Sequence, residues 1–240
     1  MNKKITTRAD EIRENAFHIQ EAYKTIRTNL LFALASSHQV LFTSYEPNAG
    51  KSISIANVAS SMAQTGVSVL LIDADMRNAS QHRIFRVHNT DGLSKILGGM
   101  IELSDKVIIK NANTNLDLIT AGPIPPNPSE LLGSDRMKNL LDTMSEKYDY
   151  IFIDAPPVGA VSDTLSLYAH VKNTVVVVRE RQSKYRDINK LLAQIKSLGS
   201  NICGIIMTDV SSKGKRADRA YAKKNAIYIN ASLNYSEEEE

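Results

Sequence analysis

The 240-residue chain contains a single cysteine, Cys203, and lacks long apolar runs. One cysteine cannot form an internal disulfide, so we expect a reducing, cytoplasmic compartment. The longest apolar runs have the length of strands, well short of the roughly 20 residues that a membrane-spanning helix needs. Residues 1–17 have no apolar core typical of a secretory signal. We therefore expect that any link to a membrane comes from another protein.

The net charge of +3 is too small to indicate nucleic-acid binding. Its distribution is uneven, since lysine and arginine dominate residues 213–224 whereas residues 237–240 are all glutamate. This polar composition predicts a solvated, flexible tail over residues 211–240, and a contact with anionic lipid or an acidic partner stays open. Three tyrosines recur in the tail at a spacing of seven: Tyr221, Tyr228 and Tyr235.

Strand-like and helix-like patterns alternate from residue 16 to about residue 210. Apolar residues at a spacing of three to four predict a first helix over residues 16–35, and further helices over 52–66, 134–148, 161–171 and 184–199. Continuous apolar and β-branched runs predict strands over 40–44, 67–75, 116–120, 150–154, 173–178 and 202–207. This alternation is typical of an α/β fold, with a mostly parallel twisted sheet and helices on both faces. We predict an N-terminal extension (1–15), one domain (16–210) and the tail.

The loop between the first predicted strand and the next helix reads SYEPNAGKS. It approximates the phosphate-binding pattern GxxxxGK[ST], although Tyr45 stands at the first glycine position. In such a loop the backbone N–H groups surround the phosphates, the lysine reaches the terminal phosphates, and the following hydroxyl binds Mg²⁺. The predicted nucleotide-binding residues are Asn48, Ala49, Gly50, Lys51, Ser52 and Ile53.

Two predicted strands end in acids: Asp73 and Asp75 at the end of one, and Asp154 at the end of another. The carboxyl ends of parallel strands are where open α/β sheets bind ligands. A Mg²⁺ ion bound with a nucleotide needs few carboxylates, so Ser52, Asp75 and Asp154 are the predicted metal ligands. Together with the loop, these acids predict a nucleoside-triphosphate site that supports phosphoryl transfer.

An ordered set of motifs resembles the bacterial tyrosine kinases of capsule and exopolysaccharide assembly, which are related to the ParA and MinD ATPases. The motifs are EAYKTIRTN, FTSYEPNAGKS, VLLIDADMR, HRIF with GLSKILGG, GPIPPNPSELL and YDYIFIDAPPVGAVSD. ParA and MinD proteins carry an additional lysine four residues before the last loop glycine, whereas Glu46 stands there in this chain. The resemblance therefore favours the kinases.

The resemblance implies a protein-tyrosine kinase that uses ATP and Mg²⁺ and phosphorylates its own tail between subunits. Lys51 would then act in catalysis with Asp75 and Asp154, and Asp73 would be the base that accepts the tyrosine proton. Arg77 would stabilise charge near the active site. The expected phosphate acceptors are the three tail tyrosines.

The resemblance also implies partners. Glu21, Lys24 and Arg27 match an acid and two arginines that join subunits into a ring in the family. Lys24 replaces an arginine and cannot form the same two-pronged contact. We expect a homo-oligomer, a transmembrane adaptor of the polysaccharide co-polymerase type, and protein tyrosine substrates.

Several positions depart from the family pattern. Asn48 replaces a glycine, and asparagine tolerates positive φ better than most residues. Asn78 and Ala79 replace a Lys-Pro pair, and Thr208 stands where relatives often place an asparagine near the adenine. Two alternatives stay open: a switch ATPase of the MinD/ParA class, and a nucleotide-binding scaffold of a polysaccharide assembly complex without catalysis.

Overall fold

The computed structural model describes residues 8–34, 38–111, 114–159 and 162–210. These residues form six strands and eight helices. The strands are β1 (Gln39–Ser44), β2 (Val69–Asp73), β3 (Leu116–Ile119), β4 (Tyr150–Asp154), β5 (Asn173–Arg179) and β6 (Asn201–Thr208). The helices are α1 (Arg8–Ala33), α2 (Lys51–Ala63), α3 (Gln81–Phe85), α4 (Leu93–Leu97), α5 (Pro128–Leu132), α6 (Asp135–Ser145), α7 (Asp163–Leu167) and α8 (Tyr185–Ser197).

The six strands form one parallel sheet in the order β3-β2-β4-β1-β5-β6. Because the strands are parallel, their carboxyl ends all lie at one edge of the sheet. The register aligns the acids there: Phe42 of β1 lies beside Asp154 of β4, which in turn lies beside Asp73 of β2. The sheet topology thus brings the predicted acids next to the loop that follows β1.

Apolar side chains cover both faces of the sheet. Successive residues of a strand point to opposite faces, so Val40 and Phe42 pack in one apolar cluster and Leu41 in the other. One cluster contains residues of α1, α2 and α3, and the other contains residues of α4 to α8. The predicted fold class, a parallel sheet with helices on both faces, is confirmed.

The structure differs from the prediction in the short helices and at the start of α1. The five-residue helices α3, α4 and α5 lie in stretches predicted as irregular, since five residues are too few to show a periodic pattern. Helix α1 begins at Arg8, eight residues before the predicted start, in a stretch without glycine or proline. Ser134 caps the start of α6, with its Oγ accepting from the Met137 amide. Residues 211–240 lie outside the described residues.

Candidate active site

The loop between β1 and α2 is shaped by two residues with positive φ. Gly50 has φ +82° and Asn48 has φ +61°, so the asparagine adopts the backbone conformation that a glycine would otherwise supply. Helix α2 begins at Lys51, and the Ser54 amide donates to Gly50 O at 3.0 Å. The unpaired amides of the first turn face the loop, as an anion-binding helix start requires.

Residues at the ends of β5 and β6 hold the loop from one side. Thr208 Oγ1 donates to Ala49 O at 2.7 Å, and Arg179 Nη1 donates to Asn48 O at 3.3 Å. Arg179 is itself paired with Asp209. A side chain on Gly50 would place its Cβ 3.2 Å from the Thr208 methyl group. The structure therefore places Thr208, predicted near the adenine, directly against the phosphate loop.

Tyr45 and Glu46, at the start of the loop, are also fixed by contacts. The Gly159 amide donates to Tyr45 O at 3.1 Å, and a Cβ on Gly159 would lie 2.4 Å from that oxygen. Ser183 Oγ donates to Glu46 Oε2 at 2.7 Å. Tyr45 stands where the pattern has its first glycine, and it is held there through its backbone carbonyl. Gly159 leaves the space for this contact because it has no side chain.

Lys51 lies between two of the predicted acids. Its Nζ forms an ion pair with Asp154 and lies 4.0 Å from Asp75 Oδ2. The lysine side chain is 6% exposed and Asp154 is fully buried. Asp154 Oδ2 also accepts from Gln81 Nε2 at 2.6 Å, and the same amide nitrogen donates to Ser52 O at 3.0 Å. Gln81 therefore connects Ser52 and Asp154, and no local pattern marks it because both partners come from distant segments of the chain.

The two acids at the end of β2, Asp73 and Asp75, have different surroundings. Asp73 is fully buried and accepts from the backbone amides of Asp75, Ser80 and Gln81 at 3.2, 3.0 and 2.9 Å. Asp75 lies in the wall of the cavity beside the loop. Burial, with the nearby Asp154 charge, raises the pKa of Asp73 to about 7, and burial also raises the pKa of Asp75. Of the two acids, Asp75 is the one that the cavity exposes, whereas Asp73 is enclosed by backbone amides.

Arg77 is held by an acid of α7. Its Nε and Nη2 atoms donate to Asp163 Oδ2 and Oδ1 at 2.6 and 3.1 Å, a two-pronged contact. Ser129 Oγ donates to the same carboxylate. Burial of Asp163 would raise its pKa, but the hydrogen bonds from Arg77 and Ser129 outweigh this and keep the pKa low. Arg77 thus lies two residues after Asp75 in the chain, and its guanidinium is bound by Asp163.

A cavity of about 600 Å³ opens over the loop. It is lined by loop residues and by residues that follow β2, namely Ser44, Pro47, Asn48, Ala49, Gly50, Lys51, Ser52, Ile53, Asp75, Asn78, Ser80, Arg83, Ile84, Arg86 and Pro157. All six predicted nucleotide-binding residues line it. Ser80 Oγ, in the cavity wall, and Gln81 Oε1 of the next residue are buried without a hydrogen-bond partner among the described residues. Such unpaired oxygens are expected at a site that a polar ligand completes.

The donor set fits a nucleotide with Mg²⁺. Mg²⁺ prefers oxygen ligands and, with nucleotides, takes one or two carboxylates and completes its shell with phosphate oxygens and water. Ser52, Asp75 and Asp154 offer oxygens near the helix start. The described residues contain no group of three histidine, cysteine or acidic side chains that could hold a metal alone.

The predicted interface residues on α1 make contacts within the chain. Lys24 Nζ pairs with Glu21 Oε1 at 2.7 Å on the exposed side of the helix. Arg27 Nη1 donates to Ser61 O and Ser61 Oγ of α2 at 2.7 and 3.2 Å. Arg27 thus links α1 to α2 in the single chain, whereas Glu21 and Lys24 face solvent. The acceptor candidates Tyr221, Tyr228 and Tyr235 lie outside the described residues.

Comparison with known proteins supplies the family. The family described as AAA domain matches residues 47–206. CapB of Staphylococcus aureus, a proposed tyrosine-protein kinase, is 36% identical over 191 residues, which cover 79% of this chain and 83% of CapB. The chain belongs to the bacterial tyrosine-protein kinase family. This confirms the resemblance drawn from the motifs.

Longer relatives of this kinase-family chain contain much additional sequence. Etk, a tyrosine-protein kinase of Escherichia coli K12, is 37% identical over 204 residues, which cover 84% of this chain and 28% of Etk. The solved kinase domain of Etk superposes with a TM-score of 0.77 at 35% identity, covering 82% of this chain and 78% of that domain.

A more distant neighbour agrees in fold alone. MinD from Pyrococcus horikoshii, solved with Mg-ADP, superposes with a TM-score of 0.66 at 18% identity, covering 85% of this chain and 90% of MinD. This P-loop fold is therefore shared between kinase-family and MinD proteins. Among the described residues, no helix is long and apolar enough to cross a membrane.

Proposed function

We propose that the chain is an ATP- and Mg²⁺-dependent protein-tyrosine kinase that phosphorylates tail tyrosines of a neighbouring copy and so regulates capsule or exopolysaccharide synthesis and export. The observation that supports this most directly is the position of Lys51. Its charge lies buried between Asp154 and Asp75, at the base of a cavity lined by the phosphate loop. The kinase names of the relatives support the choice of reaction.

The loop residues hold ATP in this proposal. The amides of Asn48 to Ile53 surround the phosphates, and the Lys51 ammonium turns from Asp154 towards the terminal phosphates. Mg²⁺ bound with ATP neutralises phosphate charge, and Ser52, Asp75 and Asp154 are the residues that would hold it. The pairing with Asp154 keeps Lys51 in the cavity before ATP arrives.

The reaction moves one phosphoryl group and one proton. The bond between the terminal phosphorus and the ADP oxygen breaks, a bond from phosphorus to the tyrosine oxygen forms, and the phenol proton passes to a carboxylate. A phenol has a pKa near 10, so a carboxylate base assists at neutral pH. We assign the base to Asp73 because Asp75, which lies in the cavity wall, is the acid left to hold Mg²⁺. Asp73 Oδ2 accepts from the Ser80 and Gln81 amides, so this oxygen must leave them to accept the proton. Catalytic contacts often form fully only when substrate binds.

Transfer between copies requires that the tail of one chain reaches the site of another. A tethered tail has a high effective concentration at a neighbouring site, which favours transfer between copies. Glu21, Lys24 and Arg27 are the proposed contact residues of a homo-oligomer such as a ring. A transmembrane adaptor of the polysaccharide co-polymerase type would supply the membrane link and an activating cytoplasmic segment. Each phosphate adds a charge of about −1.5 to −2, which would favour dissociation of the copies.

The proposal is tested with the Lys51→Ala variant. Wild-type chain incubated with ATP and Mg²⁺ should accumulate phosphotyrosine on the tail, and Lys51→Ala should lose nearly all of it. Mixing Lys51→Ala chain with wild type should restore phosphotyrosine on the variant's tail, because transfer occurs between copies. Mass spectrometry of differently tagged chains measures both.

Lys190→Ala, an exposed lysine of α8, is the matched control and should phosphorylate normally. Phosphate release without phosphotyrosine would instead indicate a switch ATPase of the MinD type. Neither product, also after addition of an adaptor's cytoplasmic segment, would indicate a non-catalytic scaffold.

A further inference from the structure

The strand order divides the cavity into two sides. The phosphate loop follows β1, and β2 and β6 each lie two strands away from β1 in opposite directions. Thr208, at the end of β6, contacts the loop from one side. Asp75, after β2, lies in the cavity wall on the other side. Because the acids that would accept the phenol proton follow β2, the acceptor tyrosine must approach on that side.

Two arginines line the acceptor side of the cavity. Arg83 and Arg86 belong to α3 and its C-terminal cap, and both are exposed and form part of the cavity wall. Arg83 Nη2 donates to Ala79 O at 3.0 Å, a contact with a backbone carbonyl. Within the described ranges, neither guanidinium forms an ion pair with a carboxylate.

Arg86 has φ +55°, a left-handed conformation that residues other than glycine, asparagine and aspartate seldom adopt. Its amide caps α3 by donating to His82 O. The backbone at this position therefore carries a long cationic side chain where a glycine would be less strained. Arg83 and Arg86 together make the acceptor side of the cavity cationic beside Asp75.

The tail tyrosines differ in the charges that follow them. Tyr221 is followed by Ala222 and two lysines, and Tyr228 by uncharged residues. Tyr235 is followed by Ser236 and then by glutamates over residues 237–240. Of the three tyrosines, only Tyr235 is thus followed closely by negative charge.

We propose that Arg83 and Arg86 select acidic tyrosine segments as phosphate acceptors, so that Tyr235 is the preferred tail acceptor. This inference rests on the proposed kinase activity and adds its substrate class. Exposed ion pairs are individually weak, and salt screens them over about 8 Å at physiological ionic strength. Two arginines therefore give a preference of roughly threefold to tenfold.

The test compares two synthetic peptides as acceptors for the full-length wild-type chain. One has the sequence of residues 229–240, and the other carries Gln at positions 237–240. The acidic peptide should have a roughly threefold to tenfold lower KM with similar kcat, because the arginines bind a remote part of the segment. The difference should shrink at 0.5 M salt. In the intact chain, mass spectrometry at early times should show Tyr235 modified before Tyr221 and Tyr228.

Arginine variants test whether Arg83 and Arg86 cause the preference for the acidic peptide. Arg83→Gln with Arg86→Gln should equalise the KM values of the two peptides, and Arg83→Glu with Arg86→Glu should prefer a peptide with Lys at positions 237–240. Lys190→Gln, an exposed cation on α8, should keep the wild-type preference. Thermal unfolding checks that each variant is folded.

Three other results would contradict this inference. Equal KM values for both peptides with wild type would overturn it while leaving the kinase proposal intact. A raised KM for ATP in the arginine variants, with the peptide preference unchanged, would show that these arginines bind nucleotide instead. Absence of phosphotyrosine on every peptide and on the tail would overturn the kinase proposal and the inference together.

Discussion

The two sides of the phosphate loop are built differently. On the β2 side, buried carboxylates are satisfied by Lys51, as for Asp154, and by backbone amides, as for Asp73. On the β6 side, Thr208 and Arg179 donate to carbonyls of the loop backbone. Buried charges have strongly shifted pKa values and are costly to leave unpaired, whereas contacts with carbonyls mainly fix a shape. We infer that the β2 side performs the chemistry and the β6 side maintains the loop.

The largest expected effects come from the two acids after β2. Asp73→Asn should lower kcat by roughly 10²- to 10⁴-fold, the usual contribution of a general base, at any Mg²⁺ concentration. Asp75→Asn should lower activity by about 10- to 100-fold and recover part of it at high Mg²⁺, because it loses a metal ligand. Phosphotyrosine formation measured against Mg²⁺ concentration separates the two variants.

Asp142→Asn, on the exposed face of α6, is the matched control for loss of a carboxylate and should behave as wild type. Full recovery of Asp73→Asn by Mg²⁺, together with a magnesium-independent loss in Asp75→Asn, would exchange the two roles.

The next effect in size is expected on stability, at the contacts that Asp163 makes with Arg77 and Ser129. Asp163→Asn weakens the contacts with Arg77 and Ser129, and should lower the free energy of unfolding by about 1.5–3 kcal/mol at neutral pH. The pKa of Asp163 is lower in the folded chain than in the unfolded one, so its stabilisation is present above the unfolded pKa of about 4 and is lost as the pH falls through the folded pKa. The difference between wild type and variant should therefore shrink below about pH 4. Urea unfolding across that range measures it, and a difference that stays constant with pH would exclude the ionised pair as its source.

The smallest effect is expected on the β6 side. Thr208→Val keeps the side-chain shape but removes the hydrogen bond to Ala49 O, worth about 1 kcal/mol. We expect the KM for ATP to rise about fivefold with unchanged kcat. Steady-state kinetics provide the measurement, with Thr143→Val on the exposed face of α6 as the control. A large loss of kcat would mean that this side takes part in the chemistry.

The sequence was most informative where one segment determines its own structure. Continuous β-branched runs predicted β4 and β5, and the AGKS segment placed the loop, because a strand or helix start depends on neighbouring residues. Gln81 and Asp163 were missed, since their roles arise only when the fold brings them to Asp154 and Arg77. No local pattern encodes such long-range partners.

Neither Arg83 nor Arg86 was assigned a role from the sequence, because the pattern of a five-residue helix does not show which way it faces. Asn48 adopts the positive φ that asparagine tolerates better than most residues, a preference that depends on this single residue. Site residues are thus predictable when their role is local, and require the structure when it depends on partners from distant segments.

The parallel sheet also determines the order in which the protein can fold. Strand β1 pairs only with β4 and β5 among the described strands, so residues 39–44 find their first sheet partner at residues 150–154. During synthesis from the N-terminus, this buried apolar strand must wait until most of the chain has left the ribosome. Sheets built from such distant pairings fold slowly and expose apolar segments meanwhile. The loop that follows β1 therefore cannot be held in place before residues 150–154 are available.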